Sequence, residues 1–175
     1  MIVICPGHYP AKPGACNARH GVCEHSMALP IVDELCTRLD AVEVTGTLEQ
    51  KVRKINKIRP EFAFDLHYNA GPSTANGCEV LYYPLAGDVR REQAELLSHV
   101  IADRLGVRDR GAKAGWYRGR EGVPLYFCAK TICPAFVVEP GFISNDWFVE
   151  TYLLGDRSAL ADAIALAIEA LIHGN

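Results

Sequence analysis

Short, unbroken apolar runs recur along the chain, and three of them stop at residues with acid–base or metal-binding chemistry. Ile2-Val3-Ile4 ends in Cys5-Pro6-Gly7-His8, Phe62-Ala63-Phe64 in Asp65-Leu66-His67, and Ala135-Phe136-Val137-Val138 in Glu139-Pro140-Gly141. Runs of this kind fit strands buried on both faces. Between them lie longer stretches with helical spacing. From Glu24 to Leu39 the apolar positions are Met27, Ala28, Ile31, Val32, Leu35 and Leu39. Pro30 interrupts that pattern, so the helix is either kinked there or begins nearer Pro30, with Glu24 on an entry turn.

A helix over 48–58 ends before Pro60, and Asp88 caps a long helix that bears Leu97 and Ile101 and stops at Gly106. Asp156 caps a last helix with Leu160, Ile164, Ile168 and Leu171 on its apolar face. Strands are expected at 2–5, 41–45, 61–66, 78–83, 125–128 and 135–138, with a Pro/Gly/Ala-rich loop over 9–21. Strands alternating with helices specify an α/β fold: one domain over 1–175, with a mixed, mostly parallel central sheet and helices on both faces.

The 175 residues and 49% apolar content suffice for a core without staples, so a bound metal would be catalytic rather than structural. Net charge of −3 gives no basic field for nucleic acid, and no apolar stretch is long enough to span a bilayer. The first residues lack a secretory signal pattern. Seven cysteines occur without a CxxC pair. Cys16 and Cys23 lie near the chemistry-bearing residues and could bind metal, but the preferred reading is free thiols in a reducing compartment.

In open α/β sheets, ligands bind beyond the carboxyl ends of the strands. Three strand ends and one helix start would therefore bring His8, Glu24, His67 and Glu139 to one crevice. Two imidazoles and two carboxylates suit a catalytic zinc site, with His8, Glu24 and His67 as ligands and Glu139 as proton shuttle. Blander readings remain open: Glu139 could pair with an arginine, His67 could be a hydrogen-bonded strand-end histidine, and Glu24 could be a first-turn helix acid. His20 and His25 lie near enough to border a substrate, whereas His99 and His173 read as surface residues.

At these same residues the chain resembles the zinc-dependent N-acetylmuramoyl-L-alanine amidases of the third amidase type, cell-wall hydrolases of bacteria and, as endolysins, of their phages. Pro6-Gly7-His8, Gly21 to Glu24, Leu66-His67-Tyr68-Asn69-Ala70, Gly77-Cys78-Glu79-Val80 and Val138-Glu139-Pro140-Gly141-Phe142-Ile143-Ser144-Asn145 carry the resemblance. It implies hydrolysis of the amide between N-acetylmuramic acid and the L-alanine of the peptidoglycan stem by a zinc-activated water. His8, Glu24 and His67 would hold Zn2+ and Glu139 would be general base and acid. Asp65 stands where the family commonly has Ser before the histidine, which would alter the support of that ligand.

The segment 108–122 reads as a basic, glycine-rich loop. Peptidoglycan stems carry carboxylates and glycans stack on aromatic faces, so Trp116, Tyr117, Arg118 and Arg120 are candidate rim contacts, against a plain solvated loop. Asn69 would bond substrate or orient His67. The partners expected are the peptidoglycan stem peptide and glycan, with no nucleic acid, no membrane segment and a monomeric protein. The absence of a signal and of a wall-anchoring domain suggests a phage or prophage endolysin, made in the cytoplasm and acting on the wall after release. The competing functions are a small-molecule zinc amidohydrolase or carboxypeptidase, with a closed pocket, and a non-catalytic wall-binding module.

Overall fold

The structure, a computed structural model, describes residues 1–174. Among the described residues the elements run β1 (Ile2–Pro6), β2 (Cys16–Asn17), β3 (Val22–Cys23), α1 (Glu24–Leu39), β4 (Val42–Glu43), α2 (Leu48–Ile58), β5 (Phe62–Leu66), β6 (Cys78–Tyr82), α3 (Asp88–Leu105), β7 (Asp109–Ala114), α4 (Tyr126–Lys130), β8 (Ala135–Glu139), α5 (Asp146–Phe148) and α6 (Arg157–His173). Six strands form one sheet in the order β4-β1-β5-β8-β6-β7 among the described residues. β4, β1, β5 and β8 are mutually parallel; β6 runs antiparallel to β8 and parallel to β7. The fold is thus a single α/β domain with a mixed, mostly parallel sheet.

Strand alternation divides the core in two. Ile2, Ile4, Phe62, Phe64, Phe136 and Val138 face α1, α3 and α6. Val3, Cys5, Ala63, Ala135 and Val137 face α2 and α4. Burial on both faces explains why these strands are mostly apolar rather than alternating in polarity, with Asp65 and Glu139 as the acidic exceptions. The periodic stretches form helices whose ends are chemically marked. Thr47 accepts from the Gln50 N–H while the Gln50 side chain accepts from the Thr47 N–H, and Asp156 accepts from the Ala159 N–H.

Several elements differ from the sequence expectation. α1 is continuous from Glu24, with Pro30 inside it. Its start is fixed by tertiary bonds: the Glu24 and His25 N–H groups donate to the carbonyls of Ala15 and Pro13, satisfying first-turn donors that would otherwise be orphaned. Gly87, not Asp88, occupies the cap position of α3. Leu125–Cys128 is not a strand; Tyr126–Lys130 forms a helical turn that buries Phe127 and Cys128. A four-residue apolar run carries too little periodicity to distinguish the two. The segment Asp109–Ala114, read as loop, is the edge strand β7. Its charged and glycine residues mask the pattern, and charged residues are common on edges.

Part of the expected loop over 9–21 is the β2–β3 hairpin, where Cys16 lies directly opposite Cys23 and the two form a disulfide. That corrects both earlier readings of this pair: neither cysteine is a free thiol and neither is a metal ligand. Cys5, Cys36, Cys78, Cys128 and Cys133 remain unpaired. Breaking the disulfide, by reduction or by Cys16→Ser with Cys23→Ser, is expected to lower unfolding free energy by about 2 kcal/mol. A urea midpoint unchanged by reduction would contradict it.

Candidate metal centre and active site

The parallel strands β1, β5 and β8 end side by side, with Pro6 paired to Leu66 and Leu66 to Val138. The next residues out are therefore those that sequence reading singled out. His67 donates its backbone N–H to the Val138 carbonyl at 2.9 Å, which sets Glu139 beside it. Gly7 makes the approach of β1 possible: a Cβ there would lie 2.6 Å from the Leu66 carbonyl oxygen and 2.8 Å from His67 Nδ1. His8 then adopts a left-handed backbone at φ 59°, a conformation uncommon outside glycine. Strain of this kind persists where surrounding structure over-determines a functional residue.

Glu24 reaches the same point from the first position of α1. Its Oε2 lies 3.1 Å from His8 Nε2 and 3.3 Å from His67 Nδ1, while Oε1 accepts the Ala15 N–H at 2.7 Å. Donor atoms of His8, Glu24 and His67 all lie within 4.8 Å of one another. The β2–β3 hairpin backs this arrangement. Asn17 within it donates to the Ile143 carbonyl at 3.0 Å and to Asp146 at 2.9 Å, tying the hairpin to the segment after Glu139.

The electrostatics favour positive charge at this point. Burial opposes ionisation of Glu24, yet His67 and His8 hold its carboxyl down at about 2. Burial likewise works against charge on His67, but Asp65 and Glu24 outweigh it and lift the imidazole to about 10. A field that holds a proton so firmly on a buried imidazole is one that a divalent cation would also answer. Two imidazole nitrogens and one carboxylate oxygen are an ordinary ligand set for such an ion with positions left open. Glu139 differs from Glu24. Burial pushes its carboxyl up to about 7, with Glu79 and Glu24 adding to the shift against the opposing pull of His67. One carboxyl held ionised and another held near neutral pH is the separation expected of a ligand and an acid–base group.

Four further residues support the site. Asp65 Oδ2 lies 3.1 Å from His67 Nε2, leaving Nδ1 toward Glu24. Lys51, only 2% exposed, donates from Nζ to Asp65 Oδ1 at 2.9 Å and to the Pro6 carbonyl. A carboxylate behind a ligating histidine fixes its tautomer and orientation. The sequence signals for this pair were a buried-strand acid in Phe-Ala-Phe-Asp-Leu and a lysine four residues from Ile55 on the buried face of α2. Glu79 pairs in register with Glu139 across β6 and β8, and Arg110 Nε donates to Glu79 Oε2 at 2.5 Å.

Among the described residues, Asn69 makes no hydrogen bond to the His67 side chain. Its amide donates to Glu79 Oε1 at 2.7 Å and accepts the Ala70 N–H. His25 is buried with Nδ1 on the Gly7 carbonyl at 2.8 Å. His20 faces Asp146 and Glu150 rather than the ligands. Trp116, Tyr117, Arg118 and Arg120 are not brought to the ligand cluster. Ala114 pairs with Tyr82, three residues along β6 from Glu79, so the loop leaves the sheet about 10 Å from the level of Glu139, at the opposite end. The loop turns back on itself: the Tyr117 N–H donates to the Val123 carbonyl, and Arg118 lies 5.3 Å from the Tyr117 ring centre. The site-end basic residue is instead Arg110, at the start of β7.

Solved structures share this fold. An N-acetylmuramoyl-L-alanine amidase from Clostridium difficile 630 superposes with a TM-score of 0.85 at 22% identity, covering 99% of this chain and 97% of that one. The catalytic domain of CwlV, an amidase of the same description from Bacillus (Paenibacillus) polymyxa var. colistinus, gives 0.83 at 23%, covering 98% and 97%. AmiC2 of Nostoc punctiforme gives 0.82 at 23%, covering 98% and 96%. No curated protein matches the chain in sequence. The sequence model of the Amidase_3 family, described as N-acetylmuramoyl-L-alanine amidase, matches residues 2–170, and the chain therefore belongs to that family.

Proposed function

We propose that the protein hydrolyses the amide between N-acetylmuramic acid and L-alanine in peptidoglycan, using zinc held by His8, Glu24 and His67 with Glu139 as general base and acid. The observation that carries this reading is the convergence of the three donors, within 4.8 Å, beside a carboxyl held near neutral pH. Family membership supplies the substrate class. Zinc bound there would polarise the scissile carbonyl and bring the pKa of a water toward neutrality. Glu139 accepts the proton of the attacking water and returns it to the leaving L-alanine nitrogen. Asp65 and Lys51 keep His67 oriented with Nδ1 toward Glu24.

His67→Ala removes one of three donors, and the protein purified from zinc-containing medium is expected to carry well under one equivalent of metal. Metal analysis checks this, and stoichiometric zinc in the variant would remove His67 from the ligand set. The cellular setting in this proposal is lysis from within, as a phage or prophage endolysin. Cells that accumulate the protein should lyse when their membrane is permeabilised and not before. Intact walls after permeabilisation would argue against that setting.

A further inference from the structure

Beside Glu139, on the side of β6 and β7, stands a guanidinium whose engagement is one-sided. Arg110 donates from Nε to Glu79 Oε2 at 2.5 Å, and its Cζ lies 5.1 Å from the centre of the Phe142 ring. Glu79 is fixed in turn by the Asn69 amide at 2.7 Å. Among the described residues, no hydrogen bond engages Nη1 or Nη2 of Arg110, and the side chain keeps 31% of its surface exposed. Glu79 is 8% exposed and its two oxygens are both bonded within the protein. The arrangement holds a planar cation against a ring and a carboxylate while leaving the two-pronged end of the fork unfilled. That end matches a carboxylate in geometry and charge.

We infer that Arg110 forms a subsite for a free carboxylate on the peptide side of the scissile bond, that of the second stem residue. This deepens the proposed amidase function and rests on it for the placement of the scissile bond. The distances agree. Glu139 and Glu79 are paired across one strand spacing, about 4.8 Å, and Arg110 reaches back from β7 to Glu79. Measured from the nitrogen that Glu139 protonates, one extended residue spans about 3.5 Å, so a carboxylate on the next α-carbon lies roughly 5–6 Å away. A carboxylate at that distance on the β6 side of Glu139 meets the guanidinium held over Glu79. A substrate whose second residue bears a neutral amide in that place cannot form the charge-assisted pair. Arg110 is thus a specificity residue and not a catalytic one.

The test compares two synthetic muramyl peptides, identical except that the second residue carries a free α-carboxylate or its amide. The zinc-loaded protein is expected to favour the carboxylate by roughly 10-fold or more in kcat/KM. Arg110→Gln should bring that ratio close to one, and Arg110→Lys should restore part of it, since an ammonium keeps the charge but not the fork. A ratio unchanged by Arg110→Gln overturns the subsite, as does an equal loss on both substrates, which would mean that Arg110 only holds Glu79. Calorimetric binding of the two corresponding product peptides, each beginning at L-alanine, separates this inference from the proposed reaction. A preference for the carboxylate peptide that Arg110→Gln abolishes supports the subsite even without turnover, and equal binding of both peptides overturns it. Absence of turnover on either substrate counts against the reaction itself.

Discussion

Glu139→Gln should lower amide hydrolysis by roughly 10²- to 10⁴-fold while leaving bound zinc at the wild-type level. The two halves of this expectation have separate origins. Glu139 ends β8, and burial raises its carboxyl toward neutral pH, so it can both take up and release a proton during turnover. It is not among the three residues whose donor atoms converge. A glutamine keeps the size and loses the proton transfer. Parallel assays of hydrolysis and metal content check the pair of outcomes. Near-normal turnover in the variant would remove Glu139 from the acid–base role, and loss of zinc would make it a ligand instead.

The second large effect lies behind the site. Lys51→Met should destabilise the protein by about 3–5 kcal/mol, because it strands a buried carboxylate at Asp65. For a chain of this size that corresponds to a fall in Tm of roughly 10 °C. Asp65 would retain only His67 as a charged partner, so zinc affinity should also drop, by roughly 10- to 100-fold. Combining Lys51→Met with Asp65→Asn removes both buried charges and should recover much of the stability without recovering the affinity. Thermal unfolding and competition with a metal-binding dye measure the two. A Tm within a degree or two of the parent would show that the buried pair contributes little.

The strand ends bearing His8, His67 and Glu139 were legible because strands buried on both faces produce apolar runs whose stopping points are conspicuous. The residues beyond each run lie at the carboxyl ends of neighbouring interior strands, so local sequence and site geometry coincide. Glu24 was harder to place, since Pro30 left the start of its helix ambiguous and its position depends on bonds from Ala15 and Pro13. The pairing of Cys16 with Cys23 depends on the register of a hairpin of two-residue strands, which leaves little periodic trace. The direction of β6 was decisive for the substrate side. Because it runs antiparallel to β8, the start of β7 lies level with Glu139, with β6 between them, and its end lies at the other end of the sheet. Composition alone drew attention to the aromatic, basic segment 116–120, while the strand register places Arg110, at the start of β7, at the level of Glu139.

Release of L-alanine amino groups from purified peptidoglycan, measured with zinc, after chelation and after zinc is restored, tests the central claim most directly. Release is expected to stop when the metal is removed and to return when zinc is added. Undiminished release from the chelated, metal-free protein would contradict the role given to His8, Glu24 and His67, and no release from folded, zinc-loaded protein would contradict the reaction.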